Sequence, residues 1–564
     1  MSTTRYPRKV RVGLLLNDFI VAAWIEQMLR QLGSCEYAEI VVVVLKSPDD
    51  SPTSQSLVTK IVRYPYRTSR NAVERLLDIA DKRLAEGPAS LPDAFASQNI
   101  ADILGDVPQL QVSPIQTKWS DRIPPEQCEQ IRSFELDVLI RVGFRILRGD
   151  ILGCARAGVW SFHHGDNLVN RGGPPGYWEV AEREPLTGCI LQVLSEDLDN
   201  GLVLDRTWSA TKFGSLHDSR RSLYWKSMAM LPRQLERLAR LGVQAYLQQA
   251  AATEGRPYLY SNRLFRRPTI PAHLGHIAIR FLRRIFQSIQ SRLTDDQWIL
   301  MYHFSSFFAS SLWRYNRIIP PKGRFYADPF PVHWQGRYYV FFEDYVGSRR
   351  KGHISVLEIG RSGPIGTPEP VLEFEEHLSY PFTFEVDGQL WMVPECRQRR
   401  SVTLYRCAEF PRRWEKVVDL LTNVDAVDAS LHYRDNRWWL FVNIASNAGA
   451  STSDELFLFH SQKLESSNWQ PHVQNPIVSD VRQARPAGRL FEYGGRLYRP
   501  SQDCSRRYGW AFNFSEVQDL TPDTYRETII TKGKPNWARD IVAVHTFNMA
   551  SSLYMVDAQI RRFR

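Results

Sequence analysis

The chain has 564 residues, with 71 Lys and Arg against 61 Asp and Glu for a formal charge of +10, and is 43% hydrophobic and 12% aromatic. That length allows about three domains or fewer, and the composition excludes wholesale disorder. No apolar run approaches the ~20 residues of a membrane span, and MSTTRYPRKV at the start lacks the apolar core of a secretory signal.

The first half alternates strand and helix signals. Val10–Leu16 is an apolar run of parallel-strand type, followed by Asn17-Asp18 as turn or N-cap. Ile20–Leu32 has helical spacing and ends at Gly33. Glu39–Lys46 is a second buried strand, and Asn71–Leu84 is expected to be a helix. Leu136–Val142, Val159–His163 and Cys189–Leu194 are further strands. Leu216–Leu241 is helical, with Pro232 expected to kink or split it. Repeated β-α-β units predict a doubly wound parallel sheet over residues 1–250. The Gly-x-Gly-x-x-Gly fingerprint of dinucleotide binding does not follow the first strand, which disfavours a nicotinamide enzyme.

Residues 251–300 form a basic connection carrying Arg266-Arg267, Arg283-Arg284 and an amphipathic stretch, Ile277–Leu293. It is expected to be an interdomain helix, with weak membrane-surface contact through 277–293 as the alternative.

From 301 to 564 a pattern repeats. Asp328–Phe342, Pro381–Pro394, Asp428–Phe441, Arg485–Pro500 and His545–Asp557 each read as strand, turn and aromatic strand, with room for two more strands in between. A four-stranded unit recurring about every 50 residues predicts a five-bladed β-propeller. The seven cysteines form no Cys-x-x-Cys pair, so reduced thiols and a cytoplasmic setting are expected, with no metal site.

Chemistry in the first half concentrates where strands end. Val159–Gly173 runs from a strand into a Gly/Asn loop, and ligands of open α/β sheets collect at such carboxyl ends. His163 and His164 point to opposite faces, so one of them can serve the crevice as a base. Asp199, in the turn after the next strand, is the carboxylate that would orient the imidazole and favour its charged form.

The stretch from Leu136 to Leu204 resembles the catalytic core of the folate-dependent formyltransferases. His163 stands at the His of the family's Asn-x-His signature, Thr187-Gly188 opens the following strand, and Leu198-Asp199-Asn200-Gly201 matches its Leu-Asp-x-Gly turn. Asp137–Ile140, Gly143 and Ile146-Leu147 resemble the segment that lines the folate pocket. The resemblance implies formyl transfer from 10-formyltetrahydrofolate to an amine, without a metal. His163 would take the proton of the attacking amine, Asp199 would orient it, and Gly143, Ile146 and Leu147 would hold the folate. Ser161 stands where the family carries the Asn that donates to the oxyanion, and losing one such donor costs about 10²–10³ in rate.

The second half resembles the propeller-like domain of plant glucosamine inositolphosphorylceramide transferases and, distantly, five-bladed glycoside hydrolases. The matching residues are Tyr326–Pro329, Val393-Pro394-Glu395 and Asp428-Ala429-Ser430. Asp328, Glu395, Asp428 and Arg485 are the candidate substrate-binding residues. Arg485 occupies the place where a hydrolase would offer its acid, which suits binding of an anionic group. The resulting expectation is N-formylation of an amino sugar or nucleotide sugar, with the propeller binding the acceptor and no specific nucleic-acid partner. The alternatives are a non-catalytic carbohydrate-binding protein with a decayed site, and a glycan-processing enzyme using the propeller carboxylates.

Overall fold

The computed structural model describes residues 6–47, 79, 81–82, 92–254 and 258–563. The helix expected over Asn71–Leu84 lies outside them except at 79, 81 and 82, which are helical. Two compact units emerge: Met1–Arg284 with Asn447–Ala450, and Ile285–Ser446 with Ser451–Arg564.

The first unit is built on seven strands: β1 (Val10–Leu16), β2 (Ala38–Lys46), β3 (Gln109–Val112), β4 (Val138–Arg141), β5 (Val159–His163), β6 (Leu186–Val193) and β7 (Leu202–Ala210). Their order is β7-β6-β5-β4-β1-β2-β3. Strands β3, β2, β1, β4 and β5 are parallel, and β6 and β7 join antiparallel. The chain steps outward from β1 to β3 and then restarts on the other side at β4. The topological switch point therefore lies between β1 and β4. Valine- and leucine-rich runs suit strands covered on both faces. One face packs Val12, Leu14, Val138 and Trp160 under α1 (Ala23–Gly33), and the other packs Leu15, Val42, Leu139 and Val159.

The helical stretch after β7 divides in two, as the proline led one to expect. Helix α2 spans Leu216–Ser227, and its N-cap Ser215 side chain accepts from the Asp218 N–H. Helix α3 spans Met230–Leu241 with Pro232 in its first turn, where a missing N–H costs nothing. Helix α4 (Val243–Glu254) follows, and α5 (Ile270–Leu293) is 24 residues long. Among the described residues no helix is long and apolar enough to cross a membrane.

The second unit is all antiparallel β structure. Four sheets follow in chain order, each of four strands, beginning at Arg324, Ser379, Ala426 and Phe491. Each predicted aromatic segment is the first hairpin of a sheet, except the last. Phe547–Ala550 and Leu553–Phe563 form the hairpin of the fifth sheet, and the two do not open a four-stranded run of their own. That sheet is instead completed by Thr294–Phe304 and Asn316–Ile318 from the start of the unit, with Ile541–Ala543 on its other side. Thr294–Phe304 pairs with Leu553–Phe563 along its whole length, Thr294 opposite Phe563 and Phe304 opposite Leu553. The β unit therefore begins at Thr294, ahead of the expected 301.

Apolar side chains join the sheets in a closed cycle. Phe341, Ile354, Met392 and Tyr405 link the first to the second, and Phe382, Trp391, Leu431 and Leu440 link the second to the third. Trp439, Phe441, Leu497 and Val517 link the third to the fourth. Phe512, Phe514, Phe547 and Val556 link the fourth to the fifth, and Tyr326, Val340, Leu300 and Met555 link the fifth back to the first.

Candidate functional site

Strands β4, β5 and β6 carry a row of polar side chains through an otherwise apolar sheet. Ser161 of β5 is in register with Arg141 of β4 on one side and Gln192 of β6 on the other. Residues in register across neighbouring strands share a face, and His163 lies on that face two residues further along. Arg141, Ser161, Gln192 and His163 are thus gathered at the carboxyl end of β4 and β5, next to the switch point.

His163 is held from both sides. Its Nδ1 lies 3.4 Å from Asp199 Oδ1 and its Nε2 lies 2.8 Å from the carbonyl oxygen of Asn170. Both ring nitrogens face acceptor oxygens, and a neutral ring, with one N–H, donates to only one of them. Asp199 is fixed in turn: its Oδ2 accepts from the Gly172 N–H at 3.1 Å, and its carbonyl accepts from Asn167 Nδ2 at 3.2 Å. Its φ of 51° is left-handed, a conformation Asp adopts more readily than most residues. Gly201 closes the turn where a Cβ would stand 1.8 Å from the Val193 carbonyl oxygen, so no other residue fits there.

The loop between His163 and Gly173 is anchored by Asp166. Its carboxylate meets Arg206 at 2.5 Å and Trp208 Nε1 at 2.9 Å, and its carbonyl accepts from the N–H groups of Val169 and Asn170. Gly188 makes this possible, since a Cβ there would press to 2.8 Å on the Asp166 side chain. Asn170 Nδ2 donates to Glu179 Oε1 at 3.2 Å, and burial pushes the Glu179 carboxyl above the ordinary range. Asn167 Oδ1, Asn170 Oδ1 and Glu179 Oε2 are buried without a hydrogen-bond partner among the described residues. Unpaired buried oxygens beside a His–Asp pair are what a donor-bearing ligand such as an amine would satisfy.

His164 does different work. Its ring stacks on Tyr224 with centroids 3.6 Å apart, its Nε2 lies 3.1 Å from Ser227 Oγ, and burial lowers its pKa to about 3. It is a neutral packing residue, which leaves His163 as the histidine of the crevice.

Arg141 was not singled out by the sequence reading. The half-buried guanidinium makes no side-chain hydrogen bond or ion pair among the described residues, and it feels the carboxylates of Asp199 and Asp121 while burial depresses its pKa. The signal was available: a charge inside the strand run Leu136–Val142 conflicts with the apolar pattern around it. Ser161 is buried, and its hydroxyl donates to the Phe162 carbonyl at 3.3 Å, so it is already engaged.

The three residues expected to hold the folate fare differently. A Cβ at Gly143 would meet the Asn17 backbone nitrogen at 2.5 Å, so this glycine brings the ends of β1 and β4 together and forms no open wall. Leu147 is buried with Phe144 and Ile151, and its side chain belongs to the core. Ile146–Leu147 is, however, the edge strand of a small sheet, paired on one side with Ser120–Asp121.

In the second unit the four predicted side chains are tied into pairs between sheets. Arg485 Nε donates to Asp428 Oδ2 at 2.5 Å, and Gln502 Nε2 donates to the same oxygen at 2.9 Å. The Asp428 N–H donates to Glu395 Oε2 at 3.1 Å. Burial and the nearby Asp428 push Glu395 up to about 8, so it is a neutral acid at pH 7. Asp328 is likewise pushed well up by burial; its Oδ2 accepts from the Tyr380 N–H, and its Oδ1 lies 3.4 Å from His545 Nε2. His545 is raised chiefly by Asp557, whose Oδ2 is 2.7 Å from its Nδ1. Ligand atoms of Asp328, His545 and Asp557 lie within 4.8 Å of one another, a spacing that could hold a metal ion, and the two carboxyls favour the charged form of His545. The centre is internally compensated in part: Asp428 faces Arg485, Asp557 faces His545, and burial raises the Asp328 and Glu395 carboxyls. A hydrolase needs an ionised carboxylate opposite its acid, and these pairings engage the available ones.

Residues 319–545 match the family model described as glucosamine inositolphosphorylceramide transferase 1, N-terminal. A curated relative of that name from Oryza sativa subsp. japonica is 35% identical over 214 residues, covering 37% of this chain and 28% of the relative. One from Arabidopsis thaliana is 31% identical over 223 residues, covering 38% and 29%. The chain thus spans under a third of the length of the curated relatives it matches. Among solved structures, glycinamide ribonucleotide transformylase 1 from Symbiobacterium toebii is similar at 14% identity, covering 42% of this chain and 88% of that one with a TM-score of 0.27. An alpha-L-arabinofuranosidase from Podospora anserina is similar at 10% identity, covering 42% and 92% with a TM-score of 0.31.

Proposed function

We propose that the first unit transfers a formyl group from 10-formyltetrahydrofolate to the amine of an amino sugar, and that the second unit, read as a five-bladed propeller, binds that acceptor. The observation that carries the reading is the pairing of His163 with Asp199 on the polar row of β4–β6, beside the switch point. The folate supplies the formyl group. His163 receives the proton released by the attacking amine and returns it to the folate nitrogen as the bond between that nitrogen and the formyl carbon breaks, while Asp199 holds the ring and balances its charge. Arg141 and Ser161 share the face where oxyanion charge would develop, and an arginine there meets the demand that the family's asparagine meets. The relatives' name couples glucosamine with a lipid, and the amino-sugar acceptor, nucleotide- or lipid-linked, follows that association. The compensated centre of the second unit favours binding over glycan cleavage. All seven cysteines are free, which suits a cytoplasmic setting.

Calorimetric titration of the whole chain with a stable analogue of 10-formyltetrahydrofolate tests this reading. Micromolar binding by the wild type is expected. Asp199→Asn and His163→Ala should retain that binding and lose formyl transfer to glucosamine derivatives by about 10²–10⁴. No binding by folded wild-type protein would sink formyl transfer and leave a carbohydrate-binding protein.

A further inference from the structure

Helix α5 is turned inside out relative to an ordinary surface helix. None of its 24 residues is buried. At about 100° per residue, Leu274, Phe281, Leu282, Ile285, Phe286 and Ile289 fall on one arc about 140° wide. All six are exposed, Leu282 by 64% and Phe286 by 67%. The opposite, polar face is the one that meets protein: His276 Nδ1 lies 2.7 Å from Tyr177 Oη, His273 stands edge-on to the Tyr177 ring, and Arg280 pairs with the buried Asp81. A helix normally buries its apolar stripe and leaves the polar one to water.

The charge pattern says what the arc faces. Ile270–Leu293 carries Arg280, Arg283, Arg284 and Arg292 and not one Asp or Glu. Basic side chains beside a broad apolar arc match the headgroup and acyl layers of an anionic bilayer. Four arginines make the helix unfit to span, and it does not qualify as a span. We infer that α5 is an interfacial helix that lays its Leu/Ile/Phe arc into the surface of an anionic membrane. Phe281, Phe286 and Leu282 would enter the acyl boundary, with Arg283 and Arg284 flanking the arc among the headgroups and Arg292, in line with the arc near the end of the helix, reaching up to them along its stem. Arg280 stays with Asp81 and holds the helix to the first unit.

Flotation of the full chain with vesicles tests it. Wild-type protein is expected to float with vesicles of equal parts phosphatidylglycerol and phosphatidylcholine, and far less with phosphatidylcholine alone. Each arginine removed should weaken binding about fivefold, so Arg283→Gln/Arg284→Gln/Arg292→Gln should lose on the order of a hundredfold. Phe281→Glu/Phe286→Glu should abolish flotation while leaving the melting temperature unchanged, because both positions are exposed. The inference is overturned if the wild type does not float with anionic vesicles, or if the phenylalanine variant floats as well as the wild type. It is equally overturned if light scattering finds a dimer that the same variant splits into monomers, since a second copy would then own the arc.

Discussion

Arg141 and Ser161 sit opposite each other on adjacent strands, and the chemistry of one bears on the identity of the other. A serine that spends its hydroxyl on the Phe162 carbonyl is a poor oxyanion donor. A guanidinium one strand away, with its donors otherwise unassigned and Asp199 as an electrostatic neighbour, is a strong one. If Arg141 takes that role, Arg141→Leu lowers kcat by about 10²–10³ with little change in KM, and Ser161→Asn in that background recovers part of the loss. Steady-state kinetics of the two single variants and the double variant check this. An arginine that only balances buried charge would change the melting temperature and leave kcat in place.

Arg485 sets the corresponding question at the level of elements, since it joins the segment before the fourth sheet to the third sheet through Asp428. Breaking a buried pair from one side leaves a bare charge and costs about 3–5 kcal/mol, whereas replacing both partners by apolar residues is often neutral. Urea unfolding of Arg485→Ala against Arg485→Met/Asp428→Leu should show that contrast. A small loss with Arg485→Ala would return the residue to the role of ligand anchor. The sheets themselves were legible because aromatic alternation and a turn at each hairpin are local signals. The fifth sheet was only half legible, since two of its strands come from before the first sheet and pairing over that distance leaves no local trace. The His163–Asp199 pair was readable from a short motif, and the turn glycines confirm why the motif needs them. Asn170, Glu179 and Gln192 were not, because what gathers them is the register of strands and the path of one loop.

Across the molecule, one buried group in each unit responds to pH, in opposite directions. His164, lowered to about 3 by burial, stays neutral when folded but takes a proton near 6.5 when unfolded. Its contribution is therefore full above pH 6.5 and falls by about 1.4 kcal/mol per pH unit as pH drops toward 3. Glu395, raised to about 8, acts the other way: its contribution is full below about 4.5 and is lost as pH rises toward 8. Calorimetry between pH 5 and 8 should resolve a contribution that strengthens with pH and one that weakens. His164→Phe should flatten the first and Glu395→Gln the second. Contributions that move together in the variants would show that these groups do not set the slopes.

The pairing of Thr294–Phe304 with Leu553–Phe563 also has a cost in time. The first of these strands leaves the ribosome 249 residues before the start of its partner, which at about 5–20 residues per second is roughly 12–50 s. Through that interval an apolar strand waits with an unpaired edge, open to the same strand on a neighbouring nascent chain. Expression yield should therefore depend on translation speed and on chaperones that cover such edges, more than on the strength of the finished ring.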